Sequence, residues 1–246
     1  MHGYVRQQSA GDIIRGALKI YGENFFTIFF TYILLMYPFA ALQAIAEAEA
    51  ALSLFWVGAF LTYICTSSLA GGVITISVSD ICLGYKPSVW RSYTRVVGVL
   101  LGKLLVTDLL TILIVMIGFT LLIVPGFLFF AWVIIVGPVV ILEGTWGVNA
   151  FKRSKSLGRG YYLRNAGLLM ILIVMSGLIG QLLRLLGNII AGTFDFVENW
   201  VINLCLLPLS EVFAPILLIS TILMYYDLRV RKEAYDNAAL AEDLKH

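Results

Sequence analysis

The sequence predicts an all-α membrane protein, a polytopic bundle of six transmembrane helices arranged as three hairpins with amphipathic helices at the cytoplasmic interface. The first observation is composition: 60% of the 246 residues are hydrophobic and 13% are charged, with a mean hydropathy of +0.92. Soluble domains carry about 25% charged residues and less than half apolar residues. The other two observations are a series of long apolar runs and an uneven distribution of Lys and Arg between the loops.

Six apolar runs account for the predicted spans, since a helix needs about 20 residues to cross a hydrocarbon core of about 30 Å. The second run is long, and its small residues, Ser67 with Gly71 and Ser68 with Gly72, permit bending or close helix packing. The fourth run is short and carries Pro138, so it is expected either to be kinked or to begin below the interface. The predicted spans are residues 25–45, 54–79, 97–122, 127–142, 165–190 and 201–226.

The chain is expected to form one membrane domain. Residues 1–24 are a cytoplasmic amphipathic segment, 25–226 the six-helix bundle and 227–246 a cytoplasmic tail. The first apolar run is expected to remain in the protein, because it is long for a signal peptide and its leader contains Asp12 and Glu23.

Val124-Pro125-Gly126 lies between the third and fourth runs and predicts the tip of a helical hairpin on the outer side. Proline removes a backbone donor, and glycine adopts turn dihedrals at little cost. The expected hairpin and kink residues are therefore Pro125, Gly126 and Pro138.

The basic residues predict that both termini are cytoplasmic, because Lys and Arg favour the cytoplasmic loops. This orientation places 16 of the 17 basic residues in cytoplasmic segments, with Arg184 near the outer end of the fifth span. The acidic residues Glu47, Glu49, Asp195 and Glu198 then fall in the outer loops.

Two groups of cations are the expected contacts for anionic lipid headgroups or for another membrane subunit. A Lys or Arg near an anionic surface contributes about 1 kcal/mol. The candidates are Lys152, Arg153, Lys155, Arg159 and Arg164 before the fifth span, and Arg229 and Arg231 after the sixth.

Three segments before the first, third and fifth spans mix aromatic, aliphatic and basic residues, as interfacial helices do. The model that follows is three units, each an interfacial helix and a hairpin; the alternative is that any cytoplasmic loop beside a membrane has this composition. Ser9 is expected to cap the first helix, with Asp12 in its opening turn, and Pro87 to lie in the first turn of the second. The segments are GDIIRGALKIYGENFF, YKPSVWRSYTRVVG and GVNAFKRSKSLGRGYY. In the third, one face is predicted to carry Trp146, Ala150, Leu157 and Tyr161, and the opposite face Lys152, Lys155 and Arg159.

Few residues are suited to catalysis. The histidines are His2 and His246, and the sequence contains no Ser-His-Asp set, zinc spacing, phosphate-binding glycine loop or paired-carboxylate motif. Cys65, Cys82 and Cys205 lie in apolar runs and are expected to be small buried residues, not a disulfide or metal site. We expect a non-enzymatic protein with no cofactor and no metal. The net charge of +2 is too small to indicate nucleic acid.

Ionisable residues inside the predicted spans are the remaining candidates, because charge in hydrocarbon is costly. Asp108 lies in the third span with Lys103 nearer the cytoplasm, Glu211 lies in the sixth between two prolines, and Asp80 lies near the cytoplasmic end of the second. One interpretation is a polar pocket or proton-linked pathway built by Asp108 and Glu211. The other, which we prefer, is structural: Asp108 pairs with Lys103 or a nearby Thr, and Glu211 meets free helix-end amides.

Several strings resemble the bacterial membrane-domain family named after glycerophosphoryl diester phosphodiesterase, and the related YciC-like inner-membrane proteins. The strings are GDIIRGALKIYGENFF, LLIVPGFLFFAWVIIVGPVVILEG, AFKRSKSLGRGYYLRN and YYDLRVRKEAYD. The most specific parts are Val124-Pro125-Gly126 with Pro138 and Glu143 downstream, and the run from Tyr226 to Arg231.

The resemblance implies a polytopic bacterial membrane protein linked to lipids or envelope integrity. Some family members join this region to a soluble phosphodiesterase barrel. Only residues 227–246 follow the last predicted span, so we expect the barrel, its catalytic His and its metal-binding carboxylates to have no counterpart.

The leading functional hypothesis is a scaffold or accessory subunit of the bacterial cytoplasmic membrane that acts through its basic cytoplasmic face. The alternative is a small transporter or lipid-handling protein. It would use the intramembrane carboxylates and helices broken at Pro125, Pro138, Pro208 and Pro215.

Overall fold

The computed structural model describes residues 3–48, 53–192 and 211–244, and within these ranges the chain is helical with short turns and no β-strand. Helical structure satisfies the backbone polar groups internally, which an apolar environment requires. The helices are α1 (Ala10–Glu23), α2 (Phe25–Ala48), α3 (Ser53–Cys82), α4 (Val89–Arg95), α5 (Leu101–Leu121), α6 (Ile123–Val133), α7 (Val136–Glu143), α8 (Val148–Gly158), α9 (Tyr162–Ala191), α10 (Ala214–Glu233) and α11 (Asn237–Asp243).

The helix α10 lies at the centre of the bundle. Every residue from Ile222 to Leu228 is buried, so no face of this part of the helix reaches the surface. A helix that is buried all round must be covered by neighbours, and α1, α3, α7, α8 and α9 provide that cover.

The long helices α2, α5 and α9 carry large apolar side chains on their outer surfaces. Exposed examples are Leu34 on α2, Met116 on α5 and Leu178 on α9. Contiguous exposed apolar surface on this scale marks contact with a membrane or another protein.

Four described helices are long and apolar enough to cross a membrane: Phe25–Gln43, Trp56–Cys82, Val89–Leu121 and Tyr162–Gly187. A fifth is added if Phe129–Glu143 and Val148–Gly158, which meet at a bend of 115°, form one broken span. The all-helical prediction with several apolar helices is therefore confirmed. Six separate spans are not established, and much of the predicted span 201–226 lies outside the described residues.

The hairpin between α5 and α6 turns at Leu122, which has an extended backbone between the two helices. The prediction that Val-Pro-Gly forms the tip was therefore wrong: Pro125 and Gly126 lie in the first turn of α6. Proline suits that position because the first turn has no partner for its missing N–H. A Cβ on Gly126 would lie 2.5 Å from Phe119, so glycine is needed there for close packing of α5 on α6.

The predicted fourth span, which carries Pro138, is divided into α6 and α7. The helix breaks at Ile134 and Ile135, between α6 and α7, and a proline ring clashes with the carbonyl four residues earlier, which here belongs to Ile134. The following bend of 115° is made by Gly144 and Gly147, which both have positive φ. Glycine adopts this backbone conformation without the Cβ strain of other residues.

The three predicted interfacial segments have different outcomes. The first forms α1 with the expected capping box, in which Ser9 accepts a hydrogen bond from the Asp12 N–H and the Asp12 carboxylate accepts one from the Ser9 N–H. The second was wrong as a separate helix, because α4 continues through a π-helical turn, Val96–Leu100, into α5. Pro87, predicted in the first turn of this helix, instead lies before its N-cap, Ser88.

The third segment forms α8, and the prediction of its two faces holds in part. Ala150 and Leu157 are buried, whereas Lys152 and Lys155 on the helix and Arg159 directly after it are exposed. Trp146, predicted on the apolar face, precedes the helix and is 52% exposed, which corrects that prediction, and Tyr161 follows the helix. The apolar face of α1 packs against α10 instead of lipid. Ile13, Ala17 and Ile20 on this face are fully buried. Tyr21 Oη donates a hydrogen bond at 2.6 Å to the carbonyl of Val212, which lies just before α10.

Some predicted features cannot be placed. Glu49, Asp195, Glu198, Pro208, Cys205, His2 and His246 lie outside the described residues, as do the side chains of Glu47 and Arg184. Cys82 is buried as expected, whereas Cys65 is exposed, which corrects the expectation for that residue.

Candidate functional site at the charged end of the bundle

Ionisable side chains from distant parts of the chain meet at one end of the bundle. This charged end contains the start of α1, the ends of α3, α7 and α10, the starts of α4 and α9, and the short helices α8 and α11. These are ends that the sequence predicted to share one side of the membrane. We define the charged end by its ion-paired residues, Asp80, Arg91, Glu143, Arg153, Arg164, Asp227, Arg229, Arg231, Glu233 and Asp243.

Asp227, on the central helix α10, is the most deeply buried of these residues, with a side chain 0% exposed. Its carboxylate accepts hydrogen bonds from Arg164, from Arg231 Nε at 2.8 Å and from the Gln8 backbone N–H at 2.7 Å. Both guanidiniums also donate to the Gln8 carbonyl and lie beside the ring of Tyr161. A buried carboxylate is tolerated when charged donors surround it in this way. The cluster ties the N-terminal segment to α9 and α10.

A second cluster joins α7, α8 and α10. Arg153 on α8 donates to Glu143 at 2.7 Å and uses both terminal nitrogens to bind the carboxylate of Glu233. Glu143 also accepts a hydrogen bond from Tyr225 Oη at 3.0 Å. The hydrogen bonds from Arg153, followed by those from Arg229, lower the pKa of Glu233. This cluster holds α8 against the end of the bundle.

The C-terminal helix α11 is docked on the same end. Arg95 donates to the carbonyls of Leu244 and Asp243, at 2.7 and 3.3 Å. The Asp243 carboxylate binds Arg229 at 2.7 Å and accepts a hydrogen bond from Tyr235 Oη at 2.6 Å. Burial, with the bond to Asp243, raises the pKa of Tyr235 above its ordinary value. Leu240 is buried beneath the helix.

The seven cations predicted to meet lipid or a partner divide into two groups. Arg153, Arg164, Arg229 and Arg231 form the internal ion pairs just described. Lys155 is exposed, with its amine 3.8 Å from the centre of the Trp132 ring. Lys152 and Arg159 are exposed and have no ion pair with any described residue.

The predicted intramembrane carboxylates have partners other than those expected. Asp108 accepts a hydrogen bond from Ser68 Oγ on α3, and the predicted pair with Lys103 is not formed. Glu211 accepts one from Tyr32 Oη at 3.4 Å, where free helix-end amides were expected. Tyr63 lies within electrostatic range of both carboxylates. The two are therefore near one tyrosine but in separate hydrogen-bonded pairs.

Close packing of α3 on α5 makes the Ser68 contact possible. A Cβ on Gly72, one turn beyond Ser68, would lie 2.9 Å from Val96 in the π-helical turn and 3.2 Å from Leu104 on α5. The small-residue prediction is confirmed for Gly72 but not for Gly71, which has no atom within 4 Å of such a Cβ. Asp80, at the end of α3, lies 3.8 Å from Arg91.

The sequence reasoning did not select Asp227, Glu233, Ser68 or Tyr32 as site residues. A signal existed for Asp227, because Arg231 follows it at i+4 and an acid followed by a base at this spacing forms an ion pair on a helix. No local signal joins Tyr32 to Glu211, since the two lie 179 residues apart.

Within the three described ranges, no three His, Cys, Asp or Glu side chains are close enough together to hold a metal ion. No family model, curated protein or solved structure matches the chain.

Proposed function

We propose that this chain is a non-enzymatic, multi-pass protein of the bacterial cytoplasmic membrane that serves as a scaffold or accessory subunit of a membrane complex. In this proposal its six spans form three hairpins, both termini are cytoplasmic, and the fold is that of the membrane-domain family named after glycerophosphoryl diester phosphodiesterase. One observation carries the proposal: ion pairs at the charged end join both terminal segments to the bundle. Such an end is a preorganised surface for a partner.

The environment of the charged end supports a position at the membrane boundary. Trp90 and Tyr85 are 74% and 64% exposed, and both adjoin exposed basic residues, Lys86 and Arg91. Trp and Tyr concentrate at the headgroup level, where an apolar ring and a polar group are both accommodated. The exposed apolar surfaces of α5 and α9 then extend into the hydrocarbon.

Fewer basic side chains are available to a partner than the number of basic residues at this end indicates. Four of the seven predicted cations neutralise internal carboxylates, so they contribute rigidity instead of surface charge. Lys152 on α8 and Arg159 directly after it are exposed and remain available to an acidic partner or to anionic headgroups.

The topology has a direct test. Single cysteines at positions 152 and 195, in a chain whose three native cysteines are replaced, are labelled with a membrane-impermeant maleimide in intact cells and in inverted vesicles. Position 152 should react only in inverted vesicles and position 195 only in intact cells. Reaction of both positions from the same side would contradict the orientation.

The scaffold role is tested by gentle affinity purification followed by mass spectrometry of co-purifying proteins and lipids. We expect a membrane-protein partner at constant stoichiometry, lost in the double variant Lys152→Glu/Arg159→Glu. Lys86→Glu is the control, because Lys86 is exposed near the same end but is not on α8. A partner lost equally from both variants, or no stoichiometric partner, would count against the scaffold role.

The alternative function, a small transporter or lipid-handling protein, is favoured by the polar pairs inside the bundle. Asp108 with Ser68 and Glu211 with Tyr32 place two carboxylates near Tyr63. Polar groups at membrane depth frequently mark a substrate or proton pathway. If the alternative holds, reconstituted vesicles show solute flux or lipid movement that Asp108→Asn abolishes while expression and melting temperature stay unchanged. Vesicles inactive toward a broad panel would contradict it.

A further inference from the structure

A cleft of about 370 Å³ opens at the charged end, between the start of α5, the end of α7 and the docked helix α11. Five ionisable side chains line it: Arg95, Lys103, Glu143, Arg229 and Asp243. Apolar side chains of the π-helical turn and of α7 form the remaining wall.

The charges in this cleft do not balance. Among the side chains that line it, Arg95, Lys103 and Arg229 outnumber Glu143 and Asp243 by one positive charge. Arg153 and Arg229 pair with Glu143 and Asp243 and also with Glu233, so these three carboxylates find their partners in two guanidiniums, neither of them Arg95. The Lys103 ammonium has no hydrogen bond or ion pair with any described residue.

Arg95 adds a second positive charge. Its two described hydrogen bonds go to the main-chain carbonyls of Leu244 and Asp243, which are neutral acceptors. Three of its five N–H donors therefore remain available. Asp80 attracts Arg95 but is in contact with Arg91, so Arg91 and Arg95 share one carboxylate.

The cleft also borders the apolar surface of the bundle. Val99 lines it and is 59% exposed, and Val106, two turns further along α5, is 45% exposed. A lysine at the polar end of an apolar helix extends its amine toward the headgroup level. A ligand here would meet cations on one side and the lipid-facing surface of α5 on the other.

We propose that this cleft binds the phosphate group of an anionic ligand, with Lys103 and Arg95 as its charged donors. The inference rests on the proposed function only in placing the charged end at headgroup level. Phosphate suits the donor set because it offers several acceptor oxygens to an ammonium and a guanidinium together. Its source is either an anionic phospholipid headgroup or a soluble phosphate.

The test uses the full-length protein in a neutral detergent and three probes: short-chain phosphatidylglycerol, phosphatidylcholine of the same chain length, and inorganic phosphate. Binding is followed by native mass spectrometry and by the melting temperature. Lys103→Gln should weaken binding about tenfold, since a charge-assisted hydrogen bond is lost. Lys86→Gln, the matched control, removes the same charge from an exposed lysine outside the cleft and should change binding less than about twofold.

The probes separate the two sources. Saturable binding of phosphatidylglycerol that inorganic phosphate does not displace identifies a lipid headgroup. Saturable binding of inorganic phosphate identifies a soluble phosphate if Lys103→Gln weakens that binding by the same factor as it weakens the binding of phosphatidylglycerol. Lys103→Arg keeps the charge and should retain binding, which protects the test against a folding defect in Lys103→Gln.

Three results would overturn the site: no saturable binding of any probe, equal weakening by Lys103→Gln and Lys86→Gln, or full binding by Lys103→Gln. None of them affects the topology labelling or the stoichiometric partner. The scaffold proposal and the cleft proposal therefore fail on different measurements.

Discussion

Replacement of Asp227 by Asn tests whether the ion pairs at the charged end hold the terminal segment to the bundle. The change keeps the size of the side chain and removes its charge. Its oxygen can still accept from the Gln8 N–H, but Arg164 and Arg231 then share no carboxylate. The perturbation is thus confined to the electrostatics of one buried site.

The expected cost follows from the burial of the three groups. Breaking a fully buried ion pair costs about 3–5 kcal/mol. Here the carboxylate is 0% exposed, but the arginine side chains are 25% and 22% exposed, so water screens part of the charge left behind. We expect Asp227→Asn to lower the free energy of unfolding by about 2–3 kcal/mol.

The assay is unfolding by SDS titration in mixed micelles, with tryptic cleavage after Arg6 as a local readout. The control is Glu23→Gln, because Glu23 lies 3.8 Å from Lys19 in an exposed pair, which is worth less than about 0.5 kcal/mol. Cleavage after Arg6 should accelerate in Asp227→Asn alone. The reasoning is refuted if both variants lose the same stability, or if Asp227→Asn is destabilised without faster cleavage at the N-terminal segment.

Three further predictions concern separate elements of the structure. Arg153, and then Arg229, hold the pKa of Glu233 in the folded protein below its ordinary value of 4.5. The stability that these ion pairs give the fold is therefore complete above pH 4.5 and is lost as the pH falls through the lowered pKa of the folded state. Glu233→Gln should flatten the acid limb of a stability–pH profile; an unchanged limb would contradict this. Gly118→Ala should lower the free energy of unfolding by about 1–3 kcal/mol, because the new Cβ would lie 2.5 Å from Phe129 and 3.1 Å from the Gly126 Cα. The control is Gly102→Ala, whose Cβ would have nothing within 4 Å and which should be neutral or stabilising. Equal melting temperatures of the two variants would argue against close packing of α5 and α6. Ser9→Ala should cost about 1 kcal/mol through loss of the capping box, and no change in melting temperature would show that the cap adds nothing.

Local features were predicted well because their causes lie within a few residues. The capping box needs only Ser9 and Asp12, three positions apart. The two faces of α8 follow from helical periodicity, and the break before α7 follows from the clash of Pro138 with the carbonyl of Ile134. The same local reasoning misplaced the tip of the α5–α6 hairpin, since Pro125 is equally compatible with a turn and with the first turn of a helix.

The candidate site was predicted only in outline. Sequence reasoning found the basic residues and the end of the bundle where most of them lie, but it treated Arg164 and Arg231 as surface contacts. Whether an arginine faces a partner or a buried carboxylate depends on which helices pack together. The same limit applies to Asp108, for which the nearby Lys103 was proposed as partner and the distant Ser68 is found.

By itself, the amino-acid sequence determined that the chain is helical and apolar enough for a membrane, because composition, helical periodicity and caps act over one or two turns. Tertiary structure alone decided that α10 is the buried centre and that Asp227 meets Gln8, 219 residues away. It also decided that Lys103 lines a cleft in which no described residue pairs with its ammonium group. These outcomes depend on the packing of many helices at once, in which each contact contributes little and no short segment of sequence specifies the partner.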